Sequence, residues 1–302
     1  MNYRALVFAS AVALSLAGAA VAQQQPDWNA IQVTAQPIKP GVAMLLGNGG
    51  NIGVSYGEDG TFIVDDQFAP LTQKIQAAIA GLGASPVKFL VNTHWHFDHA
   101  GGNENFGEAG ALIVAQENVR VRLAAGGTVL GNNTPPAPRA ALPVVTYDHG
   151  LTFHLNGDTI DVIHTGGGHT DGDSVVYWRK ANVLHTGDMM MNRSGFPFVD
   201  LNSGGNVQHL IGSIDQMIAM TDADTVVIPG HGALATRADL IAWRGMIATA
   251  VERVQALKAA GRTLEQARAA KPLAGLSNAP NGFISDDAFV EAIWGSLEAH
   301  AS

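Results

Sequence analysis

Val91-Asn92-Thr93-His94-Trp95-His96-Phe97-Asp98-His99 packs three imidazoles and a carboxylate into six consecutive positions, 94–99. The residues before it, Val87-Lys88-Phe89-Leu90-Val91, form a short apolar run of the kind that makes a buried β-strand. In extended chain, residues at i and i+2 point to the same side. His94, His96 and Asp98 therefore converge at a strand's end. His99 would point away if the strand continued, but Ala100-Gly101-Gly102 signals a turn that brings it round to a second metal ion. Such a density of donors at strand-end spacing reads as a metal site.

Outward from this stretch the chain alternates strands and helices. On the N-terminal side a meander is expected over residues 42–46, 52–56 and 61–64. Asp65-Asp66 then ends a strand, and a helix follows over residues 71–80. Beyond the motif come a helix from Asp98 toward Phe106, a strand over 112–115 and a helix over 116–124. An irregular stretch over 126–143, rich in proline, follows. The second half opens with a hairpin across Asn156-Gly157-Asp158 and a Gly166-Gly167-Gly168-His169 loop. Strands are then expected over 174–178, 182–185 and 225–228, with helices over 207–220, 237–260, 263–270 and 286–299. This order suggests two β-sheets packed face to face with helices outside, so that several strand ends meet along one edge.

Three further residues follow strands or glycine turns in the same way: His169, Asp188 after Thr186-Gly187, and His231 within Pro229-Gly230-His231-Gly232. With His94, His96, Asp98 and His99 they amount to five imidazoles and two carboxylates, enough for two divalent ions. The chain has no cysteine, so histidine and carboxylate must supply every ligand. That donor set favours zinc over iron or manganese. Each ligating imidazole needs a hydrogen-bond partner to fix its tautomer, and Asp65 or Asp66 is the candidate. Asp171 and Asp173 read as solvated loop acids. His149, His154, His164, His185, His209 and His300 lack the clustered spacing and read as surface or satisfied core residues.

Composition excludes some functions. Residues 1–22 have the basic start, apolar run and Ala20-Val21-Ala22 ending of a cleaved signal peptide, leaving residues 23–302 as a single domain exported to the periplasm or beyond, with no stable membrane insertion. Removing Arg4 with that segment moves the formal charge from −9 to 16 − 26 = −10. A chain this acidic, with no Lys/Arg stripe, has no general attraction for nucleic acid. A small-molecule substrate is expected instead.

His94-x-His96-x-Asp98-His99 followed by His169, Asp188 and Pro229-Gly230-His231-Gly232 resembles the metallo-β-lactamase superfamily over nearly the whole mature chain. The resemblance implies an α/β fold, a four-layer αββα sandwich, with a dinuclear zinc centre. His94, His96 and His169 resemble the ligands of the first ion, Asp98, His99 and His231 those of the second, and Asp188 the carboxylate bridging them. It implies a hydrolase that attacks a carbonyl with water activated between two Zn2+ ions, with Asp98 and His96 at the chemistry and Asp98 relaying a proton. Asp188 is informative about substrate: one group of true β-lactamases has cysteine there and another lacks an acidic bridge, whereas lactonases, glyoxalase II-like thioesterases and many phosphodiesterases resemble this chain in having the bridging Asp. Export favours β-lactam first and lactone or other ester second. Trp95 and Phe97 read as packing away from the metals, with a pocket wall as the alternative; in the loop after Asp188, Met189-Met190-Met191, Phe196 and Phe198 read as an apolar substrate rim or as plain packing, and Arg193 as a candidate contact for a substrate carboxylate. Two rivals are a diiron oxidoreductase, against which His96 argues because diiron relatives tend to place a carboxylate there, and an inactive binding protein.

Overall fold

The computed structural model describes residues 26–192, 195–277 and 282–299. The expected signal peptide over 1–22, Arg193 and His300 lie outside the described residues. Four strands make an antiparallel meander: β1 (Thr34–Lys39), β2 (Val42–Leu46), β3 (Ile52–Gly57) and β4 (Gly60–Val64). Helix α1 (Thr72–Gly81) then returns the chain, so that β5 (Val87–Val91) lies parallel to β4. The short helices α2 (Phe97–Ala100) and α3 (Asn103–Glu108) lead to β6 (Leu112–Gln116), and α4 (Glu117–Ala125) is followed by a hairpin of β7 (Gly127–Val129) and β8 (Asn132–Thr134). Strand β9 (Val145–Tyr147) completes a seven-stranded sheet in the order β1-β2-β3-β4-β5-β6-β9.

The second sheet begins with β10 (Gly150–Leu155) and β11 (Asp158–His164), joined by a two-residue turn in which Asn156 and Gly157 have φ of 55° and 70°, the left-handed pair that asparagine-glycine supplies. It continues through β12 (Ser174–Trp178) and β13 (Val183–His185), while a two-residue strand β14 (Met191–Asn192) lies outside it. Helix α5 (Val207–Met220) leads to β15 (Val226–Ile228), parallel to β13, and then to β16 (His231–Gly232) and β17 (Ala235–Thr236). The six-stranded order is β10-β11-β12-β13-β15-β17, and β14 pairs with β16. Helices α6 (Arg237–Ala259), α7 (Leu264–Ala269) and α8 (Asp286–Ala299) finish the chain. Thr236 and Thr263 start α6 and α7 with reciprocal caps to Asp239 and Gln266.

Alternation along the strands makes the layers. Phe62 and Val64 of the first sheet face Ile160, Val162, Val176 and Trp178 of the second, while Ile63 turns outward against Leu71, Ile75 and Phe106. Val175, Leu184 and Val227 turn the other way, onto Leu210, Ile214, Leu240, Ile247 and Phe289 of the C-terminal helices. The order helix, sheet, sheet, helix is the αββα sandwich.

Two local expectations change. The helix expected from Asp98 to Phe106 is broken into α2 and α3. A Cβ on Gly101 would stand 2.3 Å from the Phe97 carbonyl oxygen and 2.8 Å from that of Gln67, and the Gly102 amide donates to Asp66 Oδ1 instead of continuing the helix. The stretch over 126–143 is not wholly irregular: β7 and β8 turn through Leu130 and Gly131, with φ of 50° and 78°, and Val129 is buried in the cluster that contains Trp95.

Candidate metal centre

The predicted ligands, and the candidate imidazole partner Asp65, all follow strands. Asp65 follows β4, His94 to His99 follow β5, His169 lies in the loop after β11, Asp188 follows β13 and His231 follows β15. The carboxyl end of a strand is where an α/β fold leaves loops free to converge. His94, His96 and His169 form one set of donors and Asp98, His99 and His231 a second, with each set's atoms within 4.8 Å of one another; Asp188 joins His94 and His99 in a third overlapping set.

Each ring of the first triad has one nitrogen fixed by the protein and the other aimed at the others. His94 Nδ1 lies 3.0 Å from Thr93 Oγ1, whose hydroxyl donates to Asp65 Oδ2 at 2.8 Å. That orientation leaves His94 Nε2 with a lone pair, and this atom is buried without a hydrogen-bond partner. His96 Nε2 donates to Asp200 Oδ2 at 3.0 Å, and His169 Nδ1 to the Phe198 carbonyl at 2.7 Å. Their other nitrogens, His96 Nδ1 and His169 Nε2, face each other at 2.9 Å. Both then present lone pairs, so neither donates to the other; a divalent cation suits such a set of imidazole donors.

The second triad is more open. His99 Nδ1 donates to Asp65 Oδ2 at 2.8 Å, and its Nε2 is 3.3 Å from His231 Nε2. His231 Nε2 is 3.3 Å from Asp98 Oδ2, and the Asp98 side chain is 22% exposed. Asp188 stands between the triads. Its Oδ1 lies 3.0 Å from His99 Nε2, out of line for a hydrogen bond, and its Oδ2 lies 3.7 Å from His169 Nε2. Glycine is required beside it: a Cβ on Gly230 would fall 2.0 Å from Asp188 Oδ1, and one on Gly50 would fall 2.2 Å from His99 Cε1.

Electrostatics separate the two triads. Burial pushes His94 well below the usual imidazole range and His169 down to about 4, helped by the neighbouring imidazoles His99 and His96 respectively. Burial acts the same way on His99 and His231, but the carboxylates of Asp188 and Asp98 outweigh it, holding His99 well above its ordinary value and His231 up to about 9. Burial would raise Asp188, yet His231 and His99 keep it well below the carboxylate range. The raised imidazoles and lowered carboxylates of the second triad favour protons shared among them, and a divalent ion held by Asp98, His99 and His231 would take the place of those protons.

Of the two adjacent acids, Asp65 is the imidazole partner, while Asp66 caps Gly102. Asp173 is not solvated as expected: it is 3% exposed and accepts from the His169 and Thr170 amides, while Asp171 pairs with Arg122, so both shape loops and neither meets a candidate ligand's ring. His185 is a satisfied core residue, with Nε2 on the Asn51 carbonyl and Nδ1 on the Gly187 amide. The substrate contacts need correction. Trp95 is 2% exposed, packed on Val119, Leu123 and Val129, so it offers no pocket wall. Met190 is buried beside Trp243, and Phe196 stacks on Phe289 at 4.9 Å; both belong to the helix-side core. Phe198, from the same loop and only partly buried, does lie at the centre, with its ring 5.8 Å from His96 and 5.5 Å from His169. Asp200 and Ser203 are the residues that sequence reasoning missed; the polar turn Asp200-Leu201-Asn202-Ser203-Gly204-Gly205 was the available signal.

The family model described as the metallo-beta-lactamase superfamily matches residues 46–231, from the end of β2 to the last ligand. The chain belongs to the metallo-beta-lactamase superfamily. Among curated members, the hydroxyacylglutathione hydrolase of Erythrobacter litoralis is 35% identical over 103 residues, which span 34% of this chain and only 34% of that relative's length. The acyl-coenzyme A thioesterase MBLAC2 of Gallus gallus is 27% identical over 209 residues, 61% of this chain and 73% of the relative. A solved structure of the DIM-1 metallo-beta-lactamase superposes with a TM-score of 0.60 at 21% identity, covering 73% of this chain and 99% of that one. At that identity the superposition shows the fold alone. Among the described residues, no helix of this superfamily member is long and apolar enough to cross a membrane.

Proposed function

We propose that the chain holds two zinc ions, one in each triad with Asp188 between them, and hydrolyses a small carboxylic ester, thioester or lactone. The observation that carries this reading is Asp188, whose two oxygens face opposite triads. Bound ions would supply an activated water and a Lewis acid for the acyl carbonyl. The chain's own residues do the rest. Buried His94, His96 and His169 keep their side of the centre dry, while Asp98, the exposed ligand carboxylate, faces the side from which substrate enters. With Oδ2 turned to His231, Asp98 Oδ1 accepts the proton of the attacking water and returns it to the leaving atom. Phe198 flanks the same centre with an aromatic face, suited to an apolar acyl group.

Support for an ester or thioester comes from the acid at 188, which resembles lactonases and thioesterases, and from relatives named as a hydroxyacylglutathione hydrolase and an acyl-coenzyme A thioesterase. Opening of a β-lactam is the second reading, favoured by the export-type segment over residues 1–22. A panel of lactones, aryl esters, thioesters, chromogenic β-lactams and phosphodiesters, each with and without chelator, tests the order. Turnover of an ester, thioester or lactone at least about tenfold above any β-lactam, ~1.4 kcal/mol of transition-state preference, is expected. Faster β-lactam opening would reverse it. Export predicts a mature N-terminus at Gln23; a secreted or periplasmic product that keeps Met1 would sink the signal-peptide reading.

A further inference from the structure

Asp200 lies in the loop after β14, far from the motifs that supply the ligands, yet it meets one of them directly. Its Oδ2 is 3.0 Å from His96 Nε2. The same oxygen accepts from Ser203 Oγ, and Ser203 Oγ accepts from the Trp95 indole N–H at 3.0 Å. Asp200, Ser203, Trp95 and His96 are all buried, none above 3% exposed. The loop is tied to the first triad twice more, by the His169 Nδ1 bond to the Phe198 carbonyl and by the Asp200 amide on the His169 carbonyl at 2.9 Å.

The two triads therefore differ in how firmly their rings are held. In the first, every imidazole has a fixed acceptor on its far nitrogen: Thr93 for His94, Asp200 for His96 and the Phe198 carbonyl for His169. In the second, His99 has Asp65, but among the described residues His231 Nδ1 has no such acceptor, and Asp98 is partly exposed. A carboxylate behind an imidazole fixes its tautomer and raises the basicity of the nitrogen that faces the metal. We propose that Asp200, clamped by Ser203 and Trp95, is a positioning residue that holds His96 with Nδ1 toward the ion and so makes the His94–His96–His169 triad the tighter of two metal positions. The proposal rests on the metal-hydrolase reading and extends it to the order in which the positions fill.

The test is a zinc titration of the metal-free full chain in competition with a chromophoric chelator, with elemental analysis to count ions and thermal melting of the metal-free protein to check folding. The parent is expected to bind in two resolved steps. Asp200→Ala should weaken the tighter step by roughly 10–100-fold and leave the second within about threefold. Asp200→Asn, which keeps an acceptor but not the charge, should recover part of the loss. Trp95→Phe, which keeps the ring and deletes the N–H donor to Ser203, should weaken the same step by less. A parent that binds two ions while Asp200→Ala leaves the tighter step unchanged, or weakens only the looser one, overturns the assignment of Asp200 and leaves the hydrolase reading standing. A parent that takes up no zinc overturns both.

Discussion

Stripping the protein of divalent metal with a strong chelator removes its hydrolytic activity by at least about a thousandfold, ~4 kcal/mol of transition-state stabilisation, and re-adding zinc restores it. The size follows from what the centre lacks. The chain has no cysteine. Thr93, the hydroxyl residue beside His94, already spends its proton on Asp65, so it is not an activated nucleophile. What remains at the strand ends is imidazole and carboxylate, groups that bind a cation and manage protons but do not replace the attacking water. Initial rates on whichever panel substrate is turned over fastest, measured with metal content before and after dialysis, decide the matter. Activity that persists in protein holding less than a tenth of an equivalent of any divalent ion would remove the dinuclear mechanism.

Replacing Asp65 by alanine is expected to damage both triads together. Asp65 is fully buried, and its carboxylate accepts from the Thr93 amide at 2.7 Å, the Thr93 hydroxyl at 2.8 Å and His99 Nδ1 at 2.8 Å. Through Thr93 it supports His94 of the first triad, and directly it supports His99 of the second. Its backbone has a φ of 65°, tolerated by aspartate better than by most residues, alanine included. Removing one partner of a buried charged pair costs about 3–5 kcal/mol, and the orphaned donors and the left-handed backbone add to that. For a chain of this size the loss corresponds to a fall in Tm of roughly 5–9 °C, with metal uptake weakened at both positions. Asp66→Ala, which strands only the Gly102 amide, should fall well short of this. An Asp65→Ala protein that melts within 2 °C of the parent and still takes up two ions would show that the carboxylate is not the hub described.

The clustering of the candidate ligands was legible because their placement is a local matter: alternation at the end of β5, a glycine turn that redirects His99, and short loops after β13 and β15 put the donors where strand geometry sends them. The choice between Asp65 and Asp66 was not legible, since alternation predicts opposite faces but the positive φ at Asp65 resets which face is which. Nor was the fate of the aromatic and methionine residues. Trp95, Met190 and Phe196 carry the composition of a substrate rim, yet exposure is a property of the packed molecule: Trp95 is covered by α4 and the β7–β8 hairpin, Phe196 by α8. Asp200 was hidden for the same reason, because its meeting with His96 depends on a loop crossing from the other sheet.

The first sheet uses residues up to Tyr147 and the second begins at Gly150. His94, His96, Asp98 and His99 thus belong to one half of the chain, and His169, Asp188 and His231 to the other, so each triad draws on both. Neither half can hold an ion in a complete site by itself. A bound ion would therefore act as a cross-link between the halves, and a substitution that loosens the layer around Phe62 and Trp178 should weaken metal uptake before it melts either sheet.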